Sequence, residues 1–265
     1  MESEIKLRVA TKEGGSYIRS LYTSPPFRVV SVGQLARDNA AYLMIMSTSP
    51  GVLSGDRYTM TFTVEDGASL QLKSQSYQRV FDMDGEAHQN VEITIGDGAR
   101  FSQVAHPIVP HRNSSFFTTT KVEMGARSSF LQGEIITCGR RLHGEVFEFR
   151  NFMGSVTVRQ GEVLRLKDRV WLSPTNMPLM QLGLLEGSTH QGTLIYQTTC
   201  EEEDIELCIE ALYEMLSSDH NIKFGISRSH HPGFIIRALG EGGEALLSTF
   251  QRVQEYMWNR GKERG

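Results

Sequence analysis

Thr63-Val64-Glu65-Asp66-Gly67-Ala68-Ser69-Leu70, Thr94-Ile95-Gly96-Asp97-Gly98-Ala99-Arg100-Phe101 and Val122-Glu123-Met124-Gly125-Ala126-Arg127-Ser128-Ser129-Phe130 read as three versions of one local unit. Each is the end of a strand, a tight turn and a Gly-Ala step into a further strand. From Gly67 to Gly98 the step is 31 residues and from Gly98 to Gly125 it is 27, so the repeat is weak and irregular. Stacked hairpins that share a continuous core produce such a pattern. The expected fold is therefore mostly β, layers of stacked antiparallel strands winding along an axis, with two α-helices toward the C-terminus.

Outward from these units, period-two alternation dominates the first two thirds of the chain. Ile5, Leu7 and Val9 alternate with charged residues, and Tyr58, Met60, Phe62 and Val64 alternate with threonines, the pattern of half-buried strands. Asp66-Gly67, Asp84-Gly85 and Asp97-Gly98 supply the positive φ angles of tight turns and predict hairpins. Two segments change period. From Glu201 to Ser218 the apolar residues Ile205, Cys208, Ile209, Leu212, Met215 and Leu216 fall three or four apart. Glu201, Glu202, Glu203 and Asp204 stand at the positive end of this predicted helix, where anions are favoured without any metal. A second helix is predicted from Glu244 to Trp258, with Leu246, Leu247, Phe250, Val253 and Met257 on one face. Short strands around Phe224 and from Phe234 to Leu239 lie between them. No low-complexity linker divides the chain, so one domain over 1–265 is expected, β-rich over 1–200 and mixed over 201–265.

Composition narrows the classes of function. With 27 basic and 31 acidic residues interleaved and a net charge of −4, there is no cationic stripe for nucleic-acid phosphates. The longest apolar run, Ala40 to Met46, is far below the roughly 18 to 20 residues needed to cross a bilayer. The N-terminal residues lack the basic flank and apolar stretch of a secretory signal. Cys138, Cys200 and Cys208 are too few and too scattered for a disulfide framework. A cytoplasmic protein without membrane or nucleic-acid partners is expected.

Catalytic motifs are missing. The string Gly-x-Ser-x-Gly that sets a serine on a strained elbow is absent, as is the Gly-x4-Gly-Lys-Ser/Thr loop that cradles nucleotide phosphates. Gly240-Glu241-Gly242-Gly243 has glycines before a helix, but no βαβ units follow it, so it reads as a turn. His106 and His111 flank a Pro-bounded stretch and His230 adjoins His231, yet neither pair has the spacing of a metal cage, and no CxxC or HExxH string adds ligands. What remains are glycine-anchored polar stretches: Ser49 to Asp56, where a proline and two glycines set a bend before Asp56, and Gly133 to Phe149, which carries Glu134, Arg140, Arg141 and Glu145 among Gly133, Gly139 and Gly144. In isolation these read equally as braced turns with surface ion pairs.

Taken in order, these stretches resemble the UreD (also UreH) family of urease accessory proteins. The resemblance is carried by Pro50-Gly51-Val52-Leu53-Ser54-Gly55-Asp56, then Lys73-Ser74-Gln75-Ser76-Tyr77-Gln78-Arg79-Val80-Phe81, then Gly133-Glu134, Gly139-Arg140 and Gly144-Glu145-Val146-Phe147. Val52 and Ser54 stand where the family has glycines, and Gly133 where it has tryptophan. The resemblance implies a β-helix-like architecture with a few helices, and a non-enzymatic scaffold that binds UreF and, through it, the GTPase UreG, and acts on the urease apoprotein while nickel enters its active site. It implies no tightly bound cofactor; nickel is cargo, passed along an internal polar passage. A conduit needs oxygen ligands weak enough to release the ion, so Asp56, Glu134 and Glu145 are the acids assigned to a transient nickel path, with Arg140 holding one of them by a charge-assisted bond. Two other readings compete: a weak nickel-binding metallochaperone acting through His106, His111, His230 and His231, and a carboxylate enzyme of glycosidase type.

Overall fold

The computed structural model describes residues 1–32, 38–201 and 204–260. In chain order the strands are β1 (Glu2–Lys12), β2 (Gly15–Thr23), β3 (Phe27–Ser31), β4 (Ala41–Ser47), β5 (Arg57–Val64), β6 (Ser69–Ser74), β7 (Gln78–Val80), β8 (Ala87–Ile95), β9 (Arg100–Val104), β10 (Ile108–Pro110), β11 (Ser115–Met124), β12 (Ser129–Thr137), β13 (Asn151–Gln160), β14 (Val163–Leu172) and β15 (His190–Thr198). Helix α1 (Ile205–Ser217), β16 (Ile222–Arg228), β17 (Gly233–Gly240) and helix α2 (Gly243–Arg260) complete the chain. The mostly-β architecture with two C-terminal helices is as expected.

Strand pairing departs from the expectation. A first sheet runs β14-β13-β11-β8-β5-β1-β2 and a second runs β16-β17-β15-β12-β9-β6-β4-β3, with β7 and β10 pairing beside it. Their inner neighbours β1, β5, β8, β11 and β13 are parallel, as are β4, β6, β9 and β12. Antiparallel pairs are β1 with β2 and β13 with β14 in the first sheet, and β3 with β4, β12 with β15, β15 with β17 and β17 with β16 in the second, so both sheets are mixed. The reason lies in the turns. Asp66-Gly67 and Asp97-Gly98 do take positive φ, 68° and 67° at the glycines, but they carry the chain from the first sheet to the second instead of back along one sheet. Asp84-Gly85 likewise lies between β7 and β8, where the Gly85 amide donates to Ser54 Oγ at 3.3 Å. True hairpins form at Glu13-Gly14 and at Gly161-Glu162.

The three repeat units stack as one corner. Val64 pairs with Ile95 and Ile95 with Met124. Asp66 Oδ1 accepts the Asp97 amide at 2.9 Å and Asp97 Oδ1 accepts the Ala126 amide at 2.8 Å, so each aspartate satisfies a backbone donor of the next coil. The Cβ of a residue at Gly96 would stand 2.3 Å from Asp66 Oδ1 and 2.7 Å from the Asp66 amide nitrogen, which is why glycine is required. In this register Gly125 lies on Gly96, not on Gly98, so the second step is 29 residues and not 27. Arg127, at φ 51°, takes the place of Gly98.

Alternation in the strands then sorts the side chains into two cores. Between the sheets lie Ile5, Leu7, Phe62, Leu70, Phe101, Phe116, Phe130 and Phe152. On the far face of the second sheet, Val104, Leu131, Ile135, Leu194, Phe234 and Ile236 pack against Cys208 and Leu212 of α1 and Leu246, Phe250 and Val253 of α2. Gly133 makes room for this: a Cβ there would lie 3.1 Å from the Phe250 ring, so Phe250 fills the space beside the glycine. Helix α1 begins four residues later than expected, because Asp204 caps it, its carboxylate accepting the Leu207 amide at 3.1 Å. Glu202 and Glu203 of the acidic run fall outside the described residues. Among the described residues no disulfide joins Cys138, Cys200 or Cys208, and Cys138 and Cys208 are buried.

Candidate functional site

Polar residues interrupt the inward-facing rows of both sheets. On the first sheet, Tyr58 of β5, Gln89 of β8, Thr118 of β11 and Gly154 of β13 stand in register. On the second, Gln103 of β9 pairs with Gln132 of β12, and Glu134 two residues on points the same way. These side chains border two spaces between the sheets.

The larger space, about 580 Å³, is bordered by Tyr58, Met60, Gln78, Gln89 and Gln103 and by the two loops Ser49–Val52 and Ser74–Arg79. Gln78 Nε2 donates to Gln89 Oε1 across it at 3.2 Å. The loops are tied to each other: the Val52 amide donates to the Arg79 carbonyl at 2.8 Å and the Phe81 amide to the Val52 carbonyl at 2.9 Å. Gly51 permits the approach, since a Cβ there would sit 2.5 Å from the Arg79 carbonyl oxygen and 2.7 Å from the Phe81 ring. Two stretches that carried the family resemblance thus build one rim.

Asp56 stands behind this wall. Its Oδ2 accepts the Leu53 amide and the Tyr58 hydroxyl, each at 2.8 Å, and its Oδ1 accepts the Met1 ammonium at 2.9 Å. Burial acts to raise its pKa, but these three donors outweigh burial and hold it below the usual carboxylate range. Tyr58 is driven above its ordinary value by burial and by the carboxylate it binds.

The smaller space, about 10 Å³, is bordered by Gln132, Glu134, Asp168 and Thr193, room for about one water molecule. Glu134 Oε2 accepts from Thr118 Oγ1 at 3.2 Å, while its Oε1 faces Gly154, where a Cβ would come within 2.4 Å of it. Burial pushes Glu134 up to about 7, the nearby Asp168 charge adds to the shift, and only Thr118 opposes it. Asp168 itself binds the Arg237 guanidinium, which also donates to Thr193 Oγ1 at 2.5 Å. Gln132 Nε2 donates to Thr120 Oγ1 at 3.4 Å, but its buried Oε1 has no hydrogen-bond partner among the described residues.

Glu145 belongs to a different network. It follows a short 3-10 turn, Arg141–His143, and is gripped by Arg140, whose Nε donates to Oε2 at 2.9 Å while a second guanidinium nitrogen binds Oε1. The Arg112 amide adds a bond at 3.3 Å. Arg140 above all, against the opposing effect of burial, holds Glu145 down at about 2. Among the described residues no hydrogen bond or ion pair joins any two of Asp56, Glu134 and Glu145. Asp56, through Tyr58, and Glu134 border the interior; Glu145 and Arg140 brace the turn after β12.

The histidines are dispersed. His106 Nδ1 bonds Ser74 Oγ at 2.8 Å, buried His111 meets the Phe81 ring edge-on, and His230 and His231 face one another with ring centres 5.0 Å apart. Among the described residues no group of three or more His, Cys, Asp or Glu is placed to hold a metal. Sequence reasoning missed Gln89, Gln103, Gln132, Asp168, Thr193 and Arg237. Their signal was a polar residue at a core-facing strand position, clearest at Asp168, which alternation places between Leu166 and Val170.

A stacked-strand scaffold whose interior carries a row of polar side chains is the class these features define. Comparison with known proteins supplies the family. The family model described as UreD urease accessory protein matches residues 1–263. The urease accessory protein UreD of Flavobacterium johnsoniae is 41% identical over 97% of this chain and 93% of its own length. That of Acetivibrio thermocellus is 30% identical over 97% of each. The chain belongs to the UreD family of urease accessory proteins, and its role lies in urease maturation. Among the described residues no helix is long and apolar enough to cross a membrane.

Proposed function

We propose that the chain is a non-catalytic cytoplasmic scaffold that binds UreF and, through it, UreG, holds the urease apoprotein, and lets nickel pass through its interior to the urease active site. The row of polar side chains between the sheets supports this reading, with Glu134 at its narrow end. A core-facing row of glutamines, threonines and a carboxylate adds nothing to packing and carries a desolvation cost. It suits an ion handed on by weak oxygen ligands. In this reading Glu134 touches the passing ion, Asp56 braces the wall through Tyr58, and Glu145 with Arg140 fixes the turn behind β12. Nickel is cargo, and no cofactor is held tightly.

The test is co-expression of urease and its accessory proteins with wild-type chain, with Glu134→Gln, and without the chain. Without it, urease is expected to be abundant but nickel-poor and inactive; Glu134→Gln is expected to lower nickel content severalfold while UreF still co-purifies. Fully nickel-loaded urease without the chain overturns the maturation role, and normal loading with Glu134→Gln overturns the passage.

A further inference from the structure

Arg237 occupies an unusual place. On β17 it lies between Ile235 and Leu239, which pack into the core between the sheets, so its side chain also points toward the first sheet. There it meets Asp168, at the corresponding inward position of β14. β14 ends the first sheet, and β17 is next to the last strand of the second. The ion pair therefore joins the two sheets at one margin, with Thr193 bonded to the same guanidinium and with Asp168 and Glu134 bordering the same small cavity. The side chain of Asp168 is 14% exposed and that of Arg237 41%, and an ion pair so open to solvent on one side adds little net stability.

We infer that Arg237 is the latch of the interior row: its guanidinium holds on Asp168 and Thr193 the position of positive charge that a passing cation would take, and so keeps this margin closed to cations in the isolated chain. This rests on the passage reading and adds its control. The charged group that faces Glu134 across the cavity is Asp168, and Arg237 holds Asp168 and Thr193 from outside the cavity lining; Thr118, Gly154 and Thr193 contribute only neutral groups, and Gln132 offers the unpartnered Oε1. Removing the guanidinium leaves two carboxylates and an amide oxygen around one small space, a weak set of oxygen ligands of the kind divalent cations accept. With the guanidinium in place, a cation entering there must displace it or suffer its repulsion.

The test is titration of the purified chain with nickel sulfate, followed by calorimetry, for wild type, Arg237→Gln and Arg237→Gln with Glu134→Gln. Arg237→Gln is expected to bind one Ni²⁺ about tenfold more tightly than wild type, a difference of about 1.4 kcal/mol, and the double variant is expected to lose the gain. Unchanged affinity in Arg237→Gln, or a gain that survives Glu134→Gln, overturns the latch. If Arg237→Gln does not fold, Arg237→Lys keeps the charge but cannot span Asp168 and Thr193 with two nitrogens. It is expected to gain about threefold, and no gain overturns the proposal. The measurement needs no urease, so a failed passage, read by nickel loading, and a failed latch, read by binding, are separate outcomes.

Discussion

At the stacked corner the carboxylates of Asp66 and Asp97 point along the axis of the stack, and each accepts a backbone amide of the neighbouring coil. In the interior Glu134 points across the stack and finds one hydroxyl and a second carboxylate. The same chemical group thus serves the fold in one place and works against it in the other. A carboxylate matched to donors stabilises a structure, and one left facing another carboxylate costs it. That contrast separates residues retained for folding from residues that need another explanation.

The corner should break first and hardest. Gly96→Ala would drive a Cβ against the backbone of Asp66 and Glu65 and displace the Asp66 carboxylate. Overpacking against backbone together with a lost hydrogen bond is expected to cost about 4 kcal/mol, read as a fall in the urea midpoint. A cost below about 1 kcal/mol, the size of an ordinary surface change, would mean that the coils can slide apart and that the corner does not set the register.

The interior should show the opposite sign. Because the folded pKa of Glu134 is raised from 4.5 to about 7, the folded chain binds more protons than the unfolded chain between those values. Stability then falls as pH rises through that window, by about 3 kcal/mol. Glu134→Gln removes this contribution. Unfolding of wild type and variant at pH 5 and pH 8 is expected to show the variant gaining relative to wild type at the higher pH. A constant difference across the window would mean that Glu134 is solvated in solution and that the interior is not a closed polar row.

What could be read from the sequence follows the same division. The repeat at Gly67, Gly98 and Gly125 announced a stacked fold, because close backbone approach leaves its mark in glycines and in short polar acceptors. It did not announce parallel pairing, because Asp-Gly supplies positive φ equally to a hairpin and to a corner between sheets, and the partner of the following strand is a non-local matter. The third unit was also misaligned by two residues, since Arg127 adopts the left-handed conformation that glycine marks in the other two. For the interior, Glu134 was visible within a glycine-rich stretch. Asp168 and Arg237 showed singly, as polar residues on core-facing rows, but nothing in the sequence joins them, because only the facing of the two sheets makes them a pair. Asp56 and Glu145 look alike in sequence, as acids after glycines, yet one backs the cavity wall and the other is absorbed by Arg140.

The finest probe of the comparison is Asp97→Ala. It deletes the acceptor of the Ala126 amide but leaves the Asp97 amide on Asp66 and the backbone bonds from Gly67 and Gly98 in place. The freed donor lies at an exposed turn where water can reach it, so the expected cost is about 1 kcal/mol, the net worth of one hydrogen bond. Nickel loading of co-expressed urease should be unchanged, since the corner carboxylates bond the coils and face away from the interior row. A loss of nickel loading greater than the loss of folded chain would place the corner in the functional surface, and the division between carboxylates that hold the stack and carboxylates that serve its interior would fall.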